Sequence, residues 1–407
     1  MRANDFERMP GATRAAGRWQ CAATEEGAAK TPHTHAAGTG APGRCATLFV
    51  FALLVLLALA PTPVAAHPSE LQPTDARAQG MGGAFSAIAG GPFAVAWNPA
   101  ALALPQPRLG IGYARFDRPG VGAGAATFDA YGFTYARSGV GLGVAFAEIT
   151  AGDPSAAGAG PPVAEDRTVR VGLGVDLAWD LFDRPEHFFW GIGVSYKRLE
   201  ETGGYTYEVA CDETPRGFDL DAGMLWGVRL AGAGYHPPRD AQEVRGGAGY
   251  LGLRWAAVVR NLLNRTVVCL SGASERPIDR ALHGSAALEF ALGGRGARQP
   301  WLSGLLAAER QTIRVSETTP GWDFERNHNL NRYGAELEFL GLLAGRAGYV
   351  VDREAETSEW SWGAGARVGL RWRLAGFERF GLQADFARVP VGEYETGDHW
   401  TAGLWAR

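Results

Sequence analysis

The sequence predicts a membrane β-barrel of about fourteen antiparallel strands, preceded by an export signal and a plug segment. Three observations predict this fold. An apolar stretch near the N-terminus is typical of a signal peptide, and apolar and small residues alternate from Arg108 to the C-terminus. The chain of 407 residues contains 57 glycines and 13 tryptophans, which suits a wall with small inward side chains and aromatic girdles. The predicted divisions are residues 1–66 (extension and signal peptide), 67–106 (plug) and 107–407 (barrel).

The apolar core of the predicted signal peptide is Ala46–Ala60, which follows Arg44. Because a positive charge precedes this core and small residues follow it, we expect cleavage between Ala66 and His67. A membrane anchor is the alternative, but the core is shorter than the roughly 18 apolar residues that span a bilayer. Residues 1–43 are polar and rich in alanine and glycine, so they are either a disordered extension or the result of a start codon placed too early.

Alternation of side chains is the main evidence for the strands. The clearest stretch runs from Val169 to Asp180, where large apolar residues alternate with Arg, Gly, Ala and Asp. Successive side chains of a strand point to opposite faces, which gives this period of two. A soluble propeller or sandwich is the alternative fold, but it requires neither an aromatic outer face with a glycine-rich inner face nor a signal peptide.

Connections should alternate between long outer loops and short inner turns. The predicted outer loops are Ala151–Arg167, Glu201–Arg216, Asn261–Asp279, Gln311–His328 and Asp352–Glu359. The predicted inner turns are Asp180–Glu186, Gly293–Pro300, Leu340–Leu342 and the unexpectedly long Gly232–Gly247. Cys211 and Cys269 fall in neighbouring outer loops, and an oxidising compartment permits a disulfide between them. Two free thiols are the alternative.

Charged residues collect at the positions predicted to face the lumen. They are Arg170, Asp176, Asp219, Asp221, Arg229, Arg254, Glu289, Arg346, Arg367 and Arg371. One interpretation is an ion network that braces the wall and plug. The other is the polar end of a ligand path, in which an arginine holds a carboxylate with two hydrogen bonds.

The predicted plug contains two motifs. Gly80, Gly82 and Gly83 do not form a phosphate loop, because no strand precedes them and no Lys-Ser/Thr follows. Their expected role is conformational, since glycine adopts backbone angles that other residues avoid. Asn98 and Pro99 predict a turn, because proline fixes its own φ and keeps the preceding residue out of the helical region.

The segments Gly80–Phe85 (Gly-Met-Gly-Gly-Ala-Phe) and Trp97–Ala100 (Trp-Asn-Pro-Ala) resemble the N-terminal signature of the FadL and PorV superfamily of outer-membrane barrels. The resemblance extends from Arg77 to the C-terminus, and later stretches are more similar to the PorV/PorQ-like branch. Those stretches are Val259–Leu262, Tyr333–Glu338, Arg346–Tyr349 and Asp385–Gly392. The tail, Leu404–Arg407, departs from the family because it does not end on an aromatic residue. The resemblance implies a plug whose movement at Trp97, Asn98 and Pro99 gates the channel.

Other classes of function receive little support. A net charge of −4 argues against a nucleic-acid partner. The histidines lack the close spacing of a zinc site, and no outer loop has the pattern of a calcium-binding EF-hand. We therefore expect no metal and no cofactor. His283 and Ser285 share a strand face and could form a catalytic pair. The carboxylate nearest to them on that face is Glu289, two pairs away, so we expect that the protein is not an enzyme.

Two functions remain, both in the outer membrane of a bacterial cell and in contact with its lipid bilayer. The first is a FadL-like conduit or binder for a hydrophobic small molecule such as a long-chain fatty acid. The second is a PorV-like component of protein secretion that receives or anchors exported proteins. Neither the ligand nor the residues that line its path can be read from the sequence.

Overall fold

The structure is a computed structural model. It describes residues 75–104, 109–118, 126–151, 164–178, 188–202, 216–232, 249–263, 266–268, 275–277, 279–293, 300–319, 322–352, 354–370, 380–390 and 396–406. The predicted cleavage site at Ala66 and His67, the predicted disulfide of Cys211 and Cys269, and Arg371 lie outside these residues.

The described residues form sixteen strands and three short helices. The strands are β1 (Leu109–Arg118), β2 (Ala126–Arg137), β3 (Val140–Ala151), β4 (Ala164–Asp176), β5 (Phe188–Thr202), β6 (Arg216–Ala231), β7 (Gly249–Arg260), β8 (Thr266–Val268), β9 (Glu275–Pro277), β10 (Arg280–Leu292), β11 (Leu302–Thr319), β12 (Trp322–Phe339), β13 (Leu343–Asp352), β14 (Thr357–Leu370), β15 (Phe380–Pro390) and β16 (Thr396–Ala406). The helices are α1 (Ala76–Gly80), α2 (Ala94–Trp97) and the 3₁₀ helix η1 (Pro99–Ala103). None of the described helices is long and apolar enough to cross a membrane.

Fourteen of the strands close into one antiparallel barrel. Strands β1 to β7 and β10 to β16 pair in chain order, with β7 against β10, and β1 pairs with β16 to complete the ring. The three-residue strands β8 and β9 form a hairpin that joins β6 through Arg216 and Val268. The predicted transmembrane barrel of about fourteen strands is therefore confirmed.

The two faces of the wall differ as the alternation predicts. Large apolar side chains point outward and are exposed, for example Leu142 (51%), Val171 (48%) and Trp360 (69%). Aromatic residues meet across neighbouring strands, and the rings of Tyr349 and Trp360 are 4.5 Å apart. Glycine and alanine dominate the inward positions. This apolar outer surface is what a transmembrane barrel presents to lipid.

Short turns connect strands at one end of the barrel. Ser138 and Gly139 both have positive φ (53° and 77°), as a two-residue hairpin requires to match the twist of its strands. The predicted turn Leu340–Leu342 is confirmed, since β12 ends at Phe339 and β13 begins at Leu343.

Two sequence-based boundaries are wrong. The predicted loop Gln311–His328 consists mainly of strand, because β11 and β12 pair up to Thr319 and Trp322. The residues that continue the strand pairing there are polar, and a polar composition is typical of a loop. The strand from Val169 ends at Asp176 rather than Asp180, because the Asp176 carboxylate accepts a hydrogen bond from Ala178 N (3.0 Å) and starts a turn.

Three other predicted loops are shorter than expected. Strand β4 already begins at Ala164, β5 continues to Thr202, and β14 begins at Thr357. In each case residues assigned to an outer loop extend the hydrogen-bonded ladder instead.

Candidate functional site

Residues 75–104, called the inner segment below, lie against the inward side chains of the barrel. Every residue in it is buried or half-buried. Helix α1 contacts β13 to β16, and η1 contacts β2 to β6. The segment therefore touches two separate parts of the barrel wall.

The first part, called the glycine wall below, consists of inward glycines on β3 to β6. They are Gly141, Gly143, Gly172, Gly174, Gly191, Gly193 and Gly223. A Cβ on Gly174 would lie 2.7 Å from the Pro99 carbonyl oxygen. A Cβ on Gly193 would overlap the carbonyl carbon of Pro99, and one on Gly223 would overlap Asn98 Oδ1. The backbone of η1 can approach these strands because the wall has no side chains there.

The second part, called the charged wall below, consists of inward charged residues on β12 to β15 around Arg77. The Arg77 guanidinium donates to both oxygens of Glu336, from Nε at 2.8 Å and from Nη2 at 2.7 Å. Arg346 bridges Glu336 (2.5 Å) and Asp385 (2.7 Å). Ion pairs of this bidentate kind fix orientation as well as distance. A small open recess lies beside this network and is lined in part by Arg346, Asp385 and Gln383.

Asp75 adds a third acid to this network. Its carboxylate accepts a hydrogen bond from Arg77 N (2.9 Å) and caps α1. Burial and the nearby Asp385 carboxylate raise the pKa of Asp75 to about 7. Asp75 therefore changes its charge near neutral pH, where ordinary aspartates are fully ionised.

Glu309 on β11 binds the middle of the inner segment. Its Oε2 accepts hydrogen bonds from the backbone N–H groups of Phe85 (3.1 Å) and Ser86 (2.8 Å). Its Oε1 contacts His283 Nδ1 at 2.8 Å. One wall carboxylate thus satisfies two successive backbone donors of the segment. The sequence analysis did not select Glu309, although alternation in phase with Leu305 places it on the same face.

Asn98 connects three parts of the site. Its Nδ2 donates to Ser86 O (3.0 Å) and to Met224 O of β6 (3.3 Å). Its Oδ1 accepts from Ala100 N (3.0 Å) and caps η1, whose first residue is Pro99. Asn98 is extended (φ −155°, ψ 109°), as expected for a residue before proline.

The other motif residues also make structural contacts. Gly82 has φ +64°, and a Cβ on it would lie 2.9 Å from Tyr349 N. Both the turn and the close approach therefore require glycine. Trp97 packs edge-on against Phe85 with ring centroids 5.5 Å apart, and the Arg260 guanidinium lies 5.8 Å from the Trp97 ring centroid. Gly80 lies close to Gly363, and Gly83 lies close to Arg332.

Apolar side chains of the segment and wall form one buried cluster inside the barrel. The segment contributes Met81, Phe85, Ile88, Val95 and Leu102, among others. The wall contributes Ala145, Phe189, Leu225, Ala256, Ala287, Leu305 and Ala307. Part of the contact between the inner segment and the wall is therefore apolar, beside the polar contacts of Glu309 and Ser285.

Most of the predicted inward charges are paired. Asp221 lies 3.1 Å from Lys197 and 4.0 Å from Arg170. Arg254 pairs with Glu289 at 2.7 Å. These contacts favour the interpretation of an ion network over an arginine reserved for a carboxylate ligand. Asp176 and Asp219 are also buried, whereas Arg229 and Arg367 are half-buried.

His283 and Ser285 do not form a catalytic pair with Glu289. The carboxylate beside His283 is Glu309, on the neighbouring strand (2.8 Å). The Ser285 hydroxyl accepts a hydrogen bond from Ala87 N (3.3 Å) of the inner segment. The serine therefore serves as a contact to the segment.

Comparison with known proteins gives structural neighbours and no sequence relatives. No family model and no curated protein matches the chain. The toluene transporter TbuX of Ralstonia pickettii is similar at 12% identity and a TM-score of 0.44, over 83% of this chain and 98% of that chain. A FadL homologue of Pseudomonas aeruginosa is similar at 13% identity and a TM-score of 0.38, over 85% of this chain and 99% of that chain. The toluene transporter TodX of Pseudomonas putida is similar at 11% identity and a TM-score of 0.39, over 82% of this chain and 97% of that chain. The fold described above rests on the strand pairing of this chain.

Proposed function

We propose that this protein is an outer-membrane channel for hydrophobic molecules, with the inner segment as the plug that gates it. The observation that carries the proposal is the apolar cluster inside the barrel, formed jointly by the segment and the wall. A movement of the segment would expose the wall part of this cluster. A path opened in this way suits a molecule without charge and excludes hydrated ions.

We propose that the Trp97-Asn98-Pro99 motif controls that movement. Asn98 links the turn at Ser86, the wall at Met224 and the start of η1. Loss of these contacts would loosen all three at once. We therefore assign the gate to Asn98 and Pro99, with Gly80, Gly82 and Gly83 seating the other end of the segment.

The channel is tested by uptake of radiolabelled decane into cells that carry the protein and into matched cells that lack it. A labelled disaccharide serves as the polar control. We expect faster decane uptake with the protein and no change for the disaccharide. Equal decane uptake by the two strains would contradict the proposal.

Receipt of exported proteins, as in PorV-like barrels, is the second function that the sequence suggests. No contact among the described residues favours it. Co-purification of exported proteins with the gently extracted barrel, without faster decane uptake, would favour this role instead.

A further inference from the structure

Three fully buried polar side chains beside the Phe85–Ser86 turn have polar atoms without a hydrogen-bond partner among the described residues. These atoms are Ser86 Oγ, His283 Nε2, and both Oε1 and Nε2 of Gln311. The residues are 0%, 1% and 0% exposed. Buried polar groups are nearly always hydrogen-bonded, because each one left without a partner destabilises the fold. Because these atoms have essentially no accessible surface, a polar guest could reach them only when the inner segment moves.

The three side chains lie close together. His283 and Gln311 are direct partners in the pairing of β10 with β11, so their Cβ atoms are separated by roughly 4.5–5.5 Å. Glu309 precedes Gln311 by two residues on the same face and accepts from Ser86 N at 2.8 Å. Ser86 and His283 are therefore joined through Glu309, and Gln311 lies opposite His283 on the neighbouring strand.

The hydrogen-bonding pattern specifies the guest. The Glu309 carboxylate next to His283 Nδ1 (2.8 Å) can only accept, so Nδ1 carries the hydrogen and Nε2 of the neutral ring accepts. The Gln311 amide offers both donors and an acceptor. A hydroxyl group can donate to His283 Nε2 while it accepts from Gln311. A carboxylate ion cannot donate, and an alkane can do neither.

Apolar surface adjoins this point. The adjoining inward pair on β10 and β11 is Ala281 and Ile313, and both side chains are fully buried. In the other direction Ser285 and Glu309 come first, followed by Ala287 and Ala307 of the apolar cluster that contains Phe85. A guest with its polar head at His283 and Gln311 would lay an apolar tail along this surface.

We infer that Ser86, His283 and Gln311 form the head-group site for a hydrophobic molecule that bears one neutral hydroxyl, such as a long-chain alcohol. The inference rests on the proposed channel and specifies the class of molecule that it takes.

The test compares binding of radiolabelled decanol, decanoate and decane to the purified, detergent-solubilised protein by equilibrium dialysis. We expect decanol to bind about tenfold more tightly than decane or decanoate, as one or two buried hydrogen bonds would produce. Gln311→Met keeps the length of the side chain and should reduce decanol binding to the level of decane. Ser86→Ala should weaken decanol binding less.

The control is Arg115→Met, because the Arg115 guanidinium is exposed, pairs with Asp117 and lies outside the site. This variant should keep the preference for decanol. Equal binding of decanol and decane by the unmodified protein would overturn the head-group site while the channel stands, as would tighter binding of decanoate. Failure of decane uptake in cells would overturn the channel itself. Heat-shifted gel mobility checks that each variant is folded.

Discussion

The inner segment contacts the glycine wall through close packing and the charged wall through ion pairs. On β3 to β6 its backbone packs against inward glycines, so the contact depends mainly on close packing and not on charge. On β12 to β15 it is held by Arg77, whose guanidinium lies between acids. Packing contacts do not change with pH, whereas buried ion pairs depend on the protonation of each member. We infer that the charged wall is the side that releases.

The same comparison explains why glycines face η1 and charged residues face Arg77. A side chain on the glycine wall would displace η1, and an apolar residue at Glu336 would leave Arg77 buried without its partner. Substitutions in the two walls should therefore disrupt different contacts of the inner segment, so their effects can be distinguished by experiment.

The largest effect should come from filling the glycine wall. Gly193→Val places a side chain where Pro99 and Ala100 now lie, and overpacking of this kind costs about 1–3 kcal/mol or more. We expect displacement of η1 and about a tenfold gain in permeability to a bulky antibiotic, measured by growth inhibition. Gly345→Val is the control, because a Cβ on Gly345 meets nothing within 4 Å. An unchanged Gly193→Val strain would refute the role of the glycine wall.

Removal of the Arg77 side chain should have the next largest effect. Arg77→Ala leaves the buried Glu336 with Arg346 as its remaining partner, so the cost should stay below the roughly 3–5 kcal/mol of a buried charge that has no partner. Hydrogen exchange of residues 76–80 should accelerate, while exchange in β3 to β6 should not. Arg115→Ala removes an exposed pair with Asp117 and should leave this exchange unchanged. Equal acceleration in the two variants would contradict the account.

Substitution of Asn98 should have a somewhat smaller effect than removal of the Arg77 side chain. Asn98→Ala removes a helix cap and two side-chain hydrogen bonds, which together are worth about 2 kcal/mol. Asn98→Asp keeps the acceptor for Ala100 N but turns a buried carboxylate oxygen toward the carbonyl oxygens of Ser86 and Met224, so it should disrupt at least as much as Asn98→Ala. Decane uptake and heat-shifted mobility, measured together, separate a gating change from unfolding. Unmodified behaviour of both variants in both assays would reject the gate.

The smallest effect is the pH dependence of the charged wall. The closed segment holds Asp75 with a pKa of about 7, while an opened segment would return it to about 4. Between these values the closed state binds more protons, so closure weakens as pH rises from 4 to 7 and levels off above 7.

Hydrogen exchange of residues 76–80, corrected for its intrinsic pH dependence, checks this expectation. Exchange should be about tenfold or more faster at pH 8 than at pH 5. Asp75→Asn keeps an acceptor for the Arg77 amide and should abolish the difference. A difference that persists in Asp75→Asn would assign the pH dependence to other groups.

The sequence predicts local features of this molecule well. Alternation around Val171 identifies a strand and its outward face, and Asn98-Pro99 identifies a turn, because both depend on neighbouring residues. The contacts of the site depend on distant residues: Arg77 and Glu336 are 259 positions apart. Only closure of the barrel brings them together, so no spacing along the chain reveals the pair.

The error at Gln311–His328 has a related cause. Polar strands that continue the ladder have the composition of a loop, and hydrogen bonding to a neighbouring strand is not visible in composition. The composition therefore places Gln311 in a loop and does not predict its position opposite His283.

Locking the segment to the wall tests most directly whether its movement opens the channel. A Cβ on Gly80 would lie 3.5 Å from the Cβ of Ala387, within the range of about 3.5–4.5 Å that a disulfide spans. Gly80→Cys with Ala387→Cys, in a background with the native cysteines replaced by serine, should close the channel when oxidised. We expect loss of decane uptake on oxidation and recovery on reduction, with neither change in the two single variants. Equal uptake by the oxidised and reduced double variant would contradict the account.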